Sequence, residues 1–262
     1  MPDQRLATLF YVTGMGFTRD PYLVTGVVNM WINVGRSQFH LPTGEAQVLR
    51  GHTGLVVPDR EALLERLQSV KGDLKGTKFS FTEANDHVEA TCPWGNRFRC
   101  YEPGERFGGM RLGMPYVEVD VAPDTTKAIA KFYKKFMGTA ATAKDGVAEV
   151  QVGAGQSLIF RETDKKQPKY DGHHIAVYLA DFSGPHKKLL KKGLVSEESD
   201  QHQYRFLDVI DPDSGKALIR LEHEVRSMRH PLYARPLVNR NPAQTNRVYA
   251  PGYEDTPWAL PA

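Results

Sequence analysis

Two periodicities alternate along this chain. Short runs with apolar residues at every second position suit strands half buried in a sheet. Between them lie stretches with apolar residues three and four apart, the spacing of an amphipathic helix. The clearest passage begins at His52. Residues 52–59 alternate and end in Pro58-Asp59, a strand leading into a helix start, and residues 60–70 then place Leu63, Leu64 and Leu67 on one helical face. Residues 79–81, 87–91 and 97–101 alternate again, with Pro93-Trp94-Gly95-Asn96 as the turn before the last run. The predicted order is β, α, β, β, β.

The same order recurs. Residues 114–121 form a strand, Pro123-Asp124 start a helix over 125–137, and residues 148–152 and 157–161 are strands. A fourth passage runs from His173 through a helix near residues 185–192 to strands at 204–210 and 217–225. The first passage opens directly on a helix over residues 4–15, after Pro2-Asp3, so the strand equivalent to 114–121 is missing ahead of it. That predicts either an upstream strand or a module that works without it, leaving a neighbouring edge unpaired.

Landmarks confirm a duplication. Phe10-Tyr11 and Phe132-Tyr133 stand 122 positions apart, as do His52 and His174, and the turns at 93–95 and 211–215 nearly match that offset. The expected organisation is a first half at residues 1–112, a second at 113–227 and an extended tail at 228–262, which holds six of the 17 prolines. The fold class is α+β, with four βαβββ modules in two tandem halves, each half a cupped mixed sheet.

Composition narrows the partners. With 34 basic against 31 acidic residues and a net charge of +3, no basic stripe stands out beyond Lys187, Lys188, Lys191 and Lys192, which read as a solvated helix face, so nucleic acid is not expected. No run is apolar for the ~18 residues a membrane span needs. The N-terminus lacks a signal-peptide layout, and the two cysteines, Cys92 and Cys100, suit structural thiols in a reducing compartment. A cytoplasmic protein is expected, and exposed sheet edges would suit a homodimer.

The βαβββ modules in pairs, with FYVTGMGF, GHTGLVVPD, CPWGNRFRCYEP, FYKKFMGT, GHHIAVYLAD and DPDSGKALIRLEHE in order over about residues 1–227, resemble the vicinal-oxygen-chelate superfamily. That superfamily includes glyoxalases, extradiol dioxygenases and bleomycin-resistance proteins. The resemblance implies a divalent metal ion (Fe, Mn, Zn or Ni) held inside a cup by His, Glu or Gln on the first and last strands of paired modules.

Carried over position by position, it implies His52 and His40 as ligands in the first half, a third ligand on the strand missing ahead of the first helix, and Arg99 rather than an acid at the fourth position. In the second half it implies His174 and Glu222, with Arg220 competing for the same place because the strand register is open by one. The place matching His40 falls at Phe160 or Glu162. Strand alternation points Val117, Val119 and Val121 to the helices and Tyr116, Glu118 and Asp120 to the cup, making Glu118 and Tyr116 candidate catalytic or ligating groups. Arg99, Tyr178 and Arg220 are candidate substrate-pocket residues, whereas His173 and His223 are expected to face outward or cap strands.

Two functions follow. One is a metal-dependent enzyme of dioxygenase, isomerase or lyase type acting on a small oxygen-bearing molecule. The other is a small-molecule binding protein without chemistry, like the bleomycin-resistance members. In either case one half could be a scaffold for the other.

Overall fold

The computed structural model describes residues 1–23 and 28–242. The described residues form two compact units: 1–23, 28–48, 52–115 and 236–242 make unit 1, and 49–51 and 116–235 make unit 2.

Unit 1 opens with α1 (Gln4–Ala7), continued to Gly14 by a wider π-helical turn. The Asp3 carboxylate accepts from the backbone N–H of Arg5 at 2.7 Å and of Leu6 at 3.0 Å, satisfying donors the first turn leaves open. Strands β1 (Thr18–Arg19), β2 (Asn29–Val34) and β3 (Ser37–Pro42) make an antiparallel sheet in that order. Among the described residues this first module therefore has three strands. The second module has β4 (Gly51–Val56), α2 (Arg60–Ser69), β5 (Ser80–Glu83), β6 (Val88–Thr91) and β7 (Arg97–Tyr101). Asp59 caps α2 by accepting from Ala62 N at 2.9 Å. The strand order is β5-β6-β7-β4, and only the β4–β7 pairing is parallel. Phe10 and Tyr11 from the first helix and Leu63 and Leu67 from α2 pack with Ile32, Leu55 and Phe98 in one core. Each such fully buried side chain contributes roughly 1.5–3 kcal/mol.

The tail is docked at its start. Asn239 accepts from Gly35 N at 3.0 Å and donates to Gly35 O at 2.9 Å. Gly35 turns the β2–β3 hairpin at φ 62°, and a Cβ there would stand 2.1 Å from the Leu112 carbonyl oxygen, so glycine is required. The rest of the predicted tail, residues 243–262, lies outside the described residues.

Unit 2 repeats the plan twice. Its third module is β8 (Gly113–Val121, entering the unit at Tyr116), α3 (Thr126–Phe132, continued as a π-turn to Met137), β9 (Ala141–Lys144), β10 (Val147–Gly153) and β11 (Gln156–Glu162). The fourth is β12 (His174–Leu179), α4 (Ser183–Lys191), β13 (Val195–Ser199), β14 (Gln203–Ile210) and β15 (Ala217–Ser227). Strand orders are β8-β11-β10-β9 and β12-β15-β14-β13, with the first strand of each module parallel to the last. Modules two, three and four thus share one topology. Each half distributes its strands over two sheets, and in unit 2 both contribute to one core containing Val119, Phe132, Tyr133, Phe160, Phe206 and Leu221.

The third helix starts differently from the sequence expectation. Asp124 sits in a left-handed turn at φ 61° and does not cap. Glu162, from the end of β11, accepts instead from Thr126 N at 2.9 Å and Thr126 Oγ1 at 2.7 Å. These bonds hold its carboxyl below the usual range. The place matching His40 by the 122-residue offset is thus a helix cap.

Candidate functional site

The sheet β12-β15-β14-β13 has two chemically opposite faces, created by the alternation of β15. Leu221, His223 and Val225 point into the unit 2 core, while Glu222 and Glu224 take the other face. On that polar face His174 lies directly opposite Glu222, Ala176 opposite Glu224 and Tyr178 opposite Arg226. Arg205 of β14, opposite Glu224, joins the row. Its Nη1 donates to Glu222 at 2.6 Å and its Nη2 to Glu224 at 2.5 Å. Glu224 is also gripped by Arg226, whose Nε donates at 2.5 Å and whose Nη1 donates to the Tyr178 hydroxyl at 3.1 Å. Burial would raise the Glu224 carboxyl pKa, but Arg226 and Arg205 outweigh it and hold the group below its ordinary value. Arg220 stands on this face too, in a fork with Asp208 at 3.0 and 3.4 Å.

The head of β12 is braced from behind. Tyr170 donates to His173 O at 2.7 Å and accepts from Glu222 N at 3.3 Å, with the Arg50 guanidinium 5.6 Å over its ring. His173 is buried, with Nδ1 2.6 Å from Asp171 Oδ1, and burial lowers its pKa. It faces inward and does not project outward.

The third module places Tyr116 opposite Ser157 and Glu118 opposite Ile159. Glu118 is buried, and Arg161 donates to both its oxygens at 2.9 Å, the two-bond fork of a guanidinium–carboxylate pair. In unit 1, His52 is buried in β4, and His40 of β3 stacks on Trp31 with ring centres 4.1 Å apart. Arg99 reaches Glu89 at 3.3 Å on an exposed part of β7.

His223 is the largest departure from the sequence reading. Expected to face outward, it is fully buried, with Tyr133 Oη 2.6 Å from its Nε2 and Leu221 O 2.7 Å from its Nδ1. Desolvation pulls its pKa down to about 4.

No protein-family model matches the sequence, and no curated protein does. Solved structures do match. A provisional dioxygenase from Bacillus subtilis aligns over 87% of this chain and 82% of its own, with TM-score 0.54 and 15% identity. A point variant of glyoxalase I from Zea mays aligns over 85% of this chain and 87% of its own, with TM-score 0.55 and 16% identity. This chain has the vicinal-oxygen-chelate fold.

That fold implies a divalent ion, so the donor set can be tested against one. Of the residues the resemblance implied as ligands in unit 2, His174 and Glu222 lie opposite each other, but the Glu222 carboxylate is engaged by Arg205. Glu118 is likewise engaged by Arg161. Among the described residues no group of three or more His, Cys, Asp or Glu is placed to hold an ion. Among the described residues, the side chains as arranged do not fit a metal centre.

Arg205, Arg161, Tyr170 and the Tyr133–His223 pair were not singled out from the sequence. Alternation in β14, where Tyr204 and Phe206 are core residues, marks Arg205 for the polar face. Nothing local marks its partners, which lie 17 and 19 residues away. Both cysteines are free and buried, and no helix among the described residues is long and apolar enough to cross a membrane.

Proposed function

We propose that this chain is a small-molecule binding protein of the vicinal-oxygen-chelate fold, whose ligand docks on the polar face of the β12-β15-β14-β13 sheet. Guanidinium and phenol donors, in this reading, do the work a metal ion would do elsewhere. The observation that carries it is Arg205, which spans Glu222 and Glu224 where the fold's metal-binding carboxylate would stand. The fold likeness to a glyoxalase and a dioxygenase favours a small, oxygen-bearing ligand. Arg220, His174 and Tyr178 supply further donors along the same face, and planar guanidinium forks suit paired ligand oxygens.

The test is calorimetric titration of the full chain, in chelator, with 2-oxo acids, 2-hydroxy acids and catechols. The same protein is then analysed for bound Fe, Mn, Zn and Ni. Support would be saturable binding that survives chelation and weakens about tenfold in Arg220→Ala, the loss of a good charged hydrogen bond. A near-stoichiometric ion that His174→Ala or His52→Ala removes would overturn this reading and establish a metal-dependent protein.

A further inference from the structure

Behind the polar sheet face, within unit 2, lies a cavity of about 200 Å³. Tyr133, Met137, Leu158, Val177, Leu179 and His223 form most of its wall, with Thr139, Gln151, Val152 and Gly153 completing it. Three local irregularities converge there. Tyr133 begins the π-helical turn that replaces α-helix up to Met137, a rare geometry that recurs at functional positions. The β10–β11 register slips between Gln151 and Gly153, a bulge that re-aims the strand where it meets the cavity. The third is a polar pair buried among apolar neighbours, Tyr133 and His223.

The proton positions in that pair follow from its partners. Leu221 O can only accept, so His223 Nδ1 carries the hydrogen and Nε2 is the acceptor. Tyr133 therefore donates to Nε2, and its oxygen keeps its own acceptor capacity; among the described residues nothing donates to it. We propose that this cavity is a second ligand site, taking a neutral monocyclic molecule that is apolar except for one hydroxyl, which donates to Tyr133 Oη. A cavity of roughly 150 Å³ already admits benzene, so one ring with one hydroxyl fits the volume. The resulting chain runs from ligand O–H to Tyr133 O–H to His223, then from Nδ1–H to Leu221 O, each link polarising the next. The low pKa of His223 keeps it neutral and accepting at pH 7. A charged ligand would find no countercharge in this lining.

The experiment uses the full chain with phenol and benzene as probes, read by ligand-observed magnetisation-transfer NMR titration and by shift of the thermal midpoint. Phenol should bind saturably about tenfold more tightly than benzene. Tyr133→Phe should erase that preference while leaving benzene binding in place, which also reports that the cavity survives. Leu179→Phe and Val152→Phe, at partly exposed wall positions, should each weaken both probes at least tenfold. Failure of phenol and benzene to bind the wild-type chain saturably would overturn the proposal. So would equal affinity for the two, or binding unchanged by both wall substitutions.

Discussion

The two halves of this chain carry the same cross-strand ion pair with its charges exchanged. In β4 and β7, Gly54 lies opposite Arg99; in β12 and β15, Ala176, which is 122 positions further on, lies opposite Glu224. The register thus equates Arg99 with Glu224. Each faces an opposite charge on the next strand: Glu89 across from Arg99, and Arg205 across from Glu224. One step along, Phe98 of unit 1 is equated with His223 of unit 2, and Tyr11 with Tyr133. Tyr11 meets Phe98 edge to face with centroids 5.9 Å apart; Tyr133 hydrogen-bonds His223. Duplication has kept the strand pairing and let the chemistry diverge. Of the two ion pairs, that of unit 2 is the more buried. Glu224 has a side-chain exposure of 5%, against 41% for Arg99.

The largest effect should come from removing the buried imidazole. His223 has a folded pKa of about 4 against an ordinary 6.5, so the unfolded chain takes up its proton first on acidification. A depressed histidine contributes stability that is whole above pH 6.5 and is lost as pH falls toward 4, amounting to about 3 kcal/mol. In the double variant Tyr133→Phe, His223→Phe, which reproduces the Tyr11–Phe98 style of contact without a stranded hydroxyl, that part of the pH dependence should vanish. His173 and His230, also lowered by burial, should go on titrating. Urea unfolding from pH 7.5 to 4 measures the difference, and parallel curves for wild type and double variant would refute it.

Arg205→Ala should come next. It strips Glu222 and half of Glu224 of their partner, leaving charge poorly solvated on a half-buried face, at a cost of about 2 kcal/mol at pH 7. Glu224 is held below its ordinary pKa, so its contribution is present above the normal carboxylate range and fades as pH falls through the lowered value. The deficit of the variant should therefore shrink in acid. A deficit independent of pH would mean that Arg205 matters through packing alone.

The next difference concerns helix starts. Asp3 and Asp59 cap their own helices, whereas the third helix borrows Glu162 from a strand. Glu162→Ala should cost about 1 kcal/mol, within the usual range for a lost cap, while Asp124→Ala should cost less than Glu162→Ala. Denaturation midpoints in the reverse order would show the cap to be misassigned.

These cases show what the sequence could convey. The 122-residue repeat and the period-two runs disclosed the module order, because both are local patterns and the sheets follow them. In the structure, alternation in β15 sets Leu221 inside and Glu222 on the other face. The same alternation puts His223 beside Leu221 on the inner face; polarity argued for the surface, and period proved the better guide because Tyr133 and Leu221 O satisfy both ring nitrogens. The second Pro-Asp pair starts a helix with its own cap and the third does not, since one turn in a left-handed conformation moves Asp124 out of place. Arginine partners of Glu118 and Glu222 were hidden for another reason. They sit on adjacent strands 43 and 17 residues away, and only register decides which side chains meet.

The smallest effect tests the exchanged pair directly. Arg99→Glu sets two carboxylates opposite each other on β6 and β7, which should cost about 0.5–1 kcal/mol on an exposed face. Adding Glu89→Arg rebuilds the pair with the polarity of unit 2 and should return stability to within about 0.5 kcal/mol of wild type, since pairing geometry is unchanged. His87 lies 3.6 Å from Glu89 and loses that neighbour in the exchange, so all members of the cycle are compared at one fixed pH. The repulsion should fade in high salt, as exposed pairs do. If the double variant stays as unstable as the single, the two positions are fixed by more than their opposite charges, and the polarity of each half is part of its fold.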